Sequence, residues 1–202
     1  MLNKPNLNII LPKPSNKKTR KGKNPFVLEN INITKGNLKI FRHDKQKLLS
    51  VNDLHLQLEK LKLNNDKKAG KLPIIFDQYD ISAKNIFFRP DNVYAFTATN
   101  ITTKTGQLNI KDFAMHPLLS YANFRRYQPK KRNLFDLKTS EMEFKDFILK
   151  DDKISLNKVR FVNPDLKMYT TDVKPADKEK SFTYVVNLED VIMDEAKILI
   201  LK

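Results

Sequence analysis

From Phe26 the texture of the chain changes to alternation of apolar and polar residues. Ile31 and Ile33 stand between Asn30, Asn32 and Thr34, and after Lys35-Gly36-Asn37 the alternation resumes at Leu38 and Ile40. A period of two puts successive side chains on opposite faces of a strand. Two such runs around a glycine-containing turn predict a hairpin. Tyr94, Phe96 and Ala98 alternate with Ala95, Thr97 and Thr99 in the same way. Further strands are expected over 79–89, 93–103, 108–115, 139–149, 154–161, 167–171, 182–191 and 197–201. Turn-rich spacers such as Arg89-Pro90-Asp91-Asn92 and Lys150-Asp151-Asp152-Lys153 divide them. The stretch Leu48–Leu63 fits both periods: Leu54, Leu56 and Leu58 alternate, while Leu48, Val51, Leu54, Leu58 and Leu61 also follow helical spacing. Its neighbours on both sides are strands, so it is read as a strand with a bulge at Glu59-Lys60.

One helix is expected, near 117–126, with Pro117 as its first residue and Leu118, Leu119, Ala122 and Phe124 as its apolar side. The fold class is mainly β: an elongated, twisted antiparallel sheet forming an open gutter or partial barrel. Such a sheet must cover its apolar face or leave it for another molecule.

The segment Leu28–Ile40 has an ungapped counterpart at Leu188–Ile200, offset by 160 residues over 13 positions, and Gly106–Ile110 echoes Gly36–Ile40. One hairpin type used repeatedly accounts for the matches. Three regions follow: a basic extended arm over 1–25, a β-rich repeat unit over 26–187, and the start of a second copy over 188–202, which reads as a fragment of a longer array.

Composition narrows the chemistry. The chain has 202 residues, a net charge of +15 and no cysteine. Disulfides, zinc–thiolate sites and cysteine nucleophiles are excluded. The charge favours anionic partners: nucleic acid, acidic headgroups or acidic polysaccharide. Residues 1–25 contribute seven Lys/Arg and no acid, and Arg125, Arg126, Lys130, Lys131 and Arg132 surround Tyr127 and Pro129. No window reaches 18 apolar residues, so no helix spans a bilayer. His43, His55 and His116 are far apart in sequence, and Glu141, Glu143 and Asp146 belong to an alternating charged strand. No glycine-rich phosphate loop or Gly-x-Ser-x-Gly motif is present. The expectation is a non-enzymatic protein without a cofactor.

Taken in order, several segments resemble the AsmA-like envelope proteins, particularly those of Bacteroidetes-type bacteria. They are Leu28–Ile40, Val51–Leu63, Leu72-Pro73-Ile74-Ile75-Phe76, Leu108–Pro117 with a short helix after it, and Val159–Tyr169 with Asn163-Pro164-Asp165-Leu166. The resemblance covers nearly all of 26–202 and is one of strand texture. It implies a periplasmic β-gutter whose apolar face handles lipid acyl chains or supports outer-membrane assembly, anchored by a segment outside this chain. Ile31, Ile33, Leu38, Ile40, Tyr94, Phe96, Phe144 and Ile154 are the candidate lining. Arg125, Arg126, Lys130, Lys131 and Arg132 are the candidate contacts to an anionic surface. The alternatives are a basic nucleic-acid-binding module, with Tyr127 stacking on a base, and an assembly subunit that associates through edge strands.

Overall fold

The computed structural model describes residues 1–11, 26–63, 74–75, 78–104, 106–129, 133–146, 148–150, 153–171, 173 and 185–202. The alternating runs form strands β1 (Leu2–Asn3), β2 (Asn6–Ile10), β3 (Phe26–Phe41), β4 (Lys47–Leu63), β5 (Ile74–Ile75), β6 (Gln78–Phe88), β7 (Tyr94–Lys104) and β8 (Gln107–Pro117). After helix α1 (Tyr121–Tyr127) come β9 (Asn133–Lys145), β10 (Ile148–Lys150), β11 (Lys153–Val162), β12 (Asp165–Thr170), β13 (Val185–Asp194) and β14 (Lys197–Leu201). All fourteen strands join one open sheet.

Several short strands are collinear, so the sheet has nine lanes: β1–β2, β3, β4, β5–β6, β7, β8, β9–β10, β11–β12 and β13–β14. From β3 to β11–β12 the lanes run antiparallel. The two outermost lanes run parallel to their neighbours, which the sequence pattern did not suggest. The first and last lanes do not pair with one another, so the gutter stays open.

Several expected features change. Lys35-Gly36 is not a hairpin turn, because β3 runs straight through it as a strand of 16 residues. Lys35 adopts φ 52°, and one inserted residue makes a bulge rather than a reversal. Glu195-Ala196 likewise kinks a lane whose two halves lie on the same neighbour, while Gly106 at φ 75° does turn the chain between β7 and β8. The bulge in β4 sits at Asp53 instead of Glu59-Lys60, since Asp tolerates the left-handed conformation that position needs.

These bulges line up. Lys4, Lys35, Asp53, Asn85, Asp112, Asn163 and Glu195 have φ between 47° and 53° and occupy seven of the nine lanes. In the other two lanes Thr99 and Ser140 fill the row, opposite Asp112 in the register. Thr99 Oγ1 donates to Asp112 Oδ2 at 2.6 Å, and Ser140 Oγ donates to the Val162 carbonyl at 2.9 Å. Each bulge sets two consecutive residues on one side and so reverses the phase of the alternation. Because every lane makes the same switch at the same row, apolar residues stay on one face along the whole strand length. Leu38, Leu49, Val51 and Ile86 on one side of the row pack in one cluster with Leu54, Leu56, Ile81 and Ala83 on the other.

The 160-residue offset reappears in the backbone. Lys35 and Glu195 share the left-handed conformation. On β3 the Lys4 N–H donates to the Thr34 carbonyl and the Asn37 N–H to the Pro5 carbonyl. On β13–β14 the Asn163 N–H donates to the Asp194 carbonyl and the Lys197 N–H to the Pro164 carbonyl. The first lane therefore sits on the second as the eighth sits on the ninth.

Helix α1 begins at Tyr121, with Ser120 as its N-cap accepting the Asn123 N–H at 3.3 Å, whereas Pro117 ends β8 opposite Tyr94. Its fully buried Phe124 packs with Val93 and Leu134, and Leu119, Tyr94 and Tyr169 complete the cluster.

Candidate functional site

The antiparallel register assembles the apolar side chains into rows that cross the strands. One row runs Ile9–Ile40–Leu49–Phe88–Phe96–Met115–Leu137–Leu166–Ile198 and is apolar in all nine lanes. On the far side of the bulges a second row runs Leu2–Ile33–Leu56–Ile81–Thr103–Leu108–Phe144–Val159–Val191. Thr103 is its single polar member, and its hydroxyl is engaged by the Ile81 N–H at 2.7 Å. Between them lies Ala83–Ile101–Ile110–Met142–Phe161–Met193. With strands about 4.8 Å apart, a nine-lane row is about 38 Å long.

Aromatic contacts join adjacent positions of this face. The Phe96 ring lies 6.1 Å from Phe88, 6.4 Å from Tyr94 and 6.2 Å from Phe113. The buried side chains of this face are Val51, Leu54, Ala83, Ala98, Thr139 and Met142 beside the bulge line and Val159 in the second row. Away from the line most side chains are half-buried, and Phe88 is 40% and Ile198 59% exposed. Among the described residues no second layer covers them. The α1 anchors Leu134 and Tyr169 alternate with the apolar-face positions Phe135 and Met168, which puts most of the α1 cluster on the other side of the sheet, with Tyr94 joining it from the apolar face. Among the described residues the trough is left unroofed.

Away from the α1 cluster and the buried Ala95 and Ala114, the opposite face is polar. Asn109 Nδ2 donates to Glu141 Oε1, and Arg160 reaches Asp194 at 2.6 Å and Glu143 at 3.5 Å. The Asp194 carboxylate, and secondarily Glu143, hold the Arg160 guanidinium above its ordinary pKa. Asp53 Oδ2 lies 2.8 Å from Lys84 Nζ, and its other oxygen is 3.4 Å from His55 Nε2. The Lys84 hydrogen bond is the main cause that lowers the Asp53 pKa. Burial raises the pKa of Tyr94, whose hydroxyl accepts the Phe135 N–H at 3.2 Å. The fold thus gives His55 a carboxylate neighbour, and His116 one in Asp136 at 3.6 Å, where the sequence suggested none. Among the described residues no group of three or more His, Asp and Glu converges on a metal-sized site.

Of the lining residues expected from sequence, Ile31, Ile33, Leu38, Ile40, Tyr94, Phe96 and Phe144 fall on positions of the apolar face. Ile154 lies in β11 opposite Leu149 and Val186, and its side chain is outside the described residues. Leu49, Phe88, Met115, Leu137 and Leu166 belong to the first, wholly apolar row but were not singled out. Their alternation was visible; their phase relative to residues beyond each bulge was not. Arg125 and Arg126 are exposed in the last turn of α1, each beside a tyrosine ring, at 6.0 Å from Tyr121 and 5.5 Å from Tyr127. Lys130, Lys131 and Arg132 lie outside the described residues.

No family model matches the chain, and no curated protein or solved structure matches it either. Among the described residues no helix is long and apolar enough to cross a membrane.

Proposed function

We propose that this chain is a non-enzymatic segment of an AsmA-like envelope protein that holds lipid acyl chains along its apolar trough. One observation carries the reading: two rows of side chains cross nine lanes on a face that no second layer covers among the described residues. A face about 38 Å long, lined for about 25 Å along each strand, spans about 950 Å². Each methylene laid on such a surface contributes about 0.8 kcal/mol, so ten contribute about 8 kcal/mol before the cost of ordering the chain. Neither a convergent polar site nor a cofactor is needed for that. Arg125 and Arg126 are available to an anionic headgroup region, where each basic side chain adds about 1 kcal/mol.

Native mass spectrometry of the protein purified without harsh detergent tests the reading. Phospholipid adducts are expected, and Phe96→Asp and Leu137→Asp, which place carboxylates in the middle of the nine-lane row, are expected to remove them while the far-ultraviolet β signal is kept. A lipid-free, soluble monomer that takes up no lipid from vesicles refutes it.

A further inference from the structure

We infer that the outer edge of β13–β14 is an interaction surface for one further antiparallel strand with the chemistry of β4. It is a strand-addition site independent of what the trough holds.

The inference starts from the two equivalent kinks. Residues 194–197 receive the Asn163-Pro164 strand with the same two backbone bonds by which residues 34–37 receive Lys4-Pro5. In both cases the parallel neighbour occupies the same side of the kink. On β3 the other side is taken by β4, with Gly36 opposite Leu54, Leu38 opposite Val51 and Ile40 opposite Leu49. On β13–β14 that side has no partner among the described residues, and Val191, Met193, Ile198, Leu199 and Ile200 are exposed. The Lys197 N–H points inward to Pro164. Alternation along the strand therefore turns the Ile198 and Ile200 N–H groups outward, as the equivalent Leu38 and Ile40 groups turn toward β4. An exposed, apolar edge with free donors is a template for strand addition.

The equivalence also fixes the occupant's register and chemistry. A β4-like strand would set Leu54 opposite Ala196, Leu56 opposite Met193, Val51 opposite Ile198 and Leu49 opposite Ile200. This continues the apolar face into a tenth lane. Its Asp53, able to adopt the left-handed conformation it has in β4, would meet the existing kink. The charge differs in one place. Glu59 faces neutral Asn30 on β3, but the equivalent residue here is Asp190, with Glu189 beside it. The edge favours a partner that is basic at that position.

A labelled synthetic peptide of residues Lys47–Leu63 added to the intact protein tests this by fluorescence anisotropy and hydrogen exchange. The peptide is expected to bind, a scrambled peptide of equal composition to bind at least tenfold more weakly, and Glu59→Lys in the peptide to tighten binding two- to fivefold in a salt-sensitive way. Binding should slow exchange of the Ile198 and Ile200 amides and leave those of β3 unchanged. Ile200→Pro in the protein removes an outward donor and should abolish binding, whereas Ile10→Pro on the opposite edge should not. If Ile200→Pro unfolds β14, Ile200→Lys with wild-type circular dichroism serves in its place, with at least a tenfold loss expected. Absence of binding at 100 µM peptide, protection on β3 in place of β14, or weaker binding of the Glu59→Lys peptide overturns the assignment.

Discussion

Gly36 is the point at which the bulge line can be tested most directly. It is buried at the kink of β3, and a Cβ built there would lie 2.7 Å from Ile33 Cγ2 and 3.2 Å from Pro5 Cγ. Its φ is not positive, so Gly36→Ala carries no left-handed penalty, and the cost comes from crowding alone. The Ile33 contact is about 1 Å inside ordinary carbon–carbon separation, and a β-branched side chain has little freedom at χ1 to retreat. Overpacking of this kind costs about 1–3 kcal/mol, offset by about 0.4–1 kcal/mol from the stiffer unfolded chain. The expected net loss is about 1–2 kcal/mol. The ninth lane suggests the remedy, since Ala196 already carries a Cβ beside Pro164, and the residue equivalent to Ile33 is the flexible Met193. Ile33→Met should therefore recover most of the loss, although by itself it costs under about 1.5 kcal/mol. Urea unfolding gives the global value. Exchange of the Asn37 amide, bonded to the Pro5 carbonyl at 2.8 Å, reports the local one. A Gly36→Ala protein as stable as the parent, or a double variant no better than the single one, would refute the equivalence of the two kinks.

Other outcomes follow from the same geometry. Phe124→Ala should cost about 3–5 kcal/mol and disperse the Tyr121–Tyr169 stack, whose rings lie 5.4 Å apart, a change visible in near-ultraviolet circular dichroism. The Asp53 carboxyl should titrate below ordinary aspartates by NMR and return toward them in Lys84→Ala. Because its folded pKa is lowered, its contribution is present above the unfolded value and is lost as pH falls through the folded one. Tyr94 has the opposite sign: its raised pKa leaves stability untouched below about pH 10, the ordinary tyrosine value, with loss as pH climbs toward the raised midpoint. Spectrophotometric titration of the parent against Tyr94→Phe isolates it. That variant also orphans the Phe135 N–H, at a cost of about 1 kcal/mol.

Much of the architecture was legible because a two-residue period is a local property. The alternation at 94–99 marked β7, and for Leu48–Leu63, which fits both periods, the neighbouring strands decided for a strand against helical propensity. The helix was visible near its true place, but Pro117 misplaced its start. Proline at a strand's end and proline in a helix's first turn leave the same trace in sequence, and only the pairing with Tyr94 separates them. The Lys35-Gly36 turn signal misled for a related reason. A residue in the left-handed region serves a reversal or a bulge equally well, and the choice depends on whether a neighbouring strand continues past it.

The chain by itself determined that it would be an amphipathic β-sheet, because side-chain spacing decides which residues share a face over any unbroken run. It also carried the 160-residue echo, since two segments with the same pattern adopt the same kink. Only the tertiary structure decided how the faces join across the bulges, where a single inserted residue inverts the phase and nothing local says whether the next lane does likewise. It decided too that the outer lanes run parallel and that the helix packs away from the greasy side. Those facts rest on contacts between residues far apart in sequence, and they are what turn alternating strands into a trough.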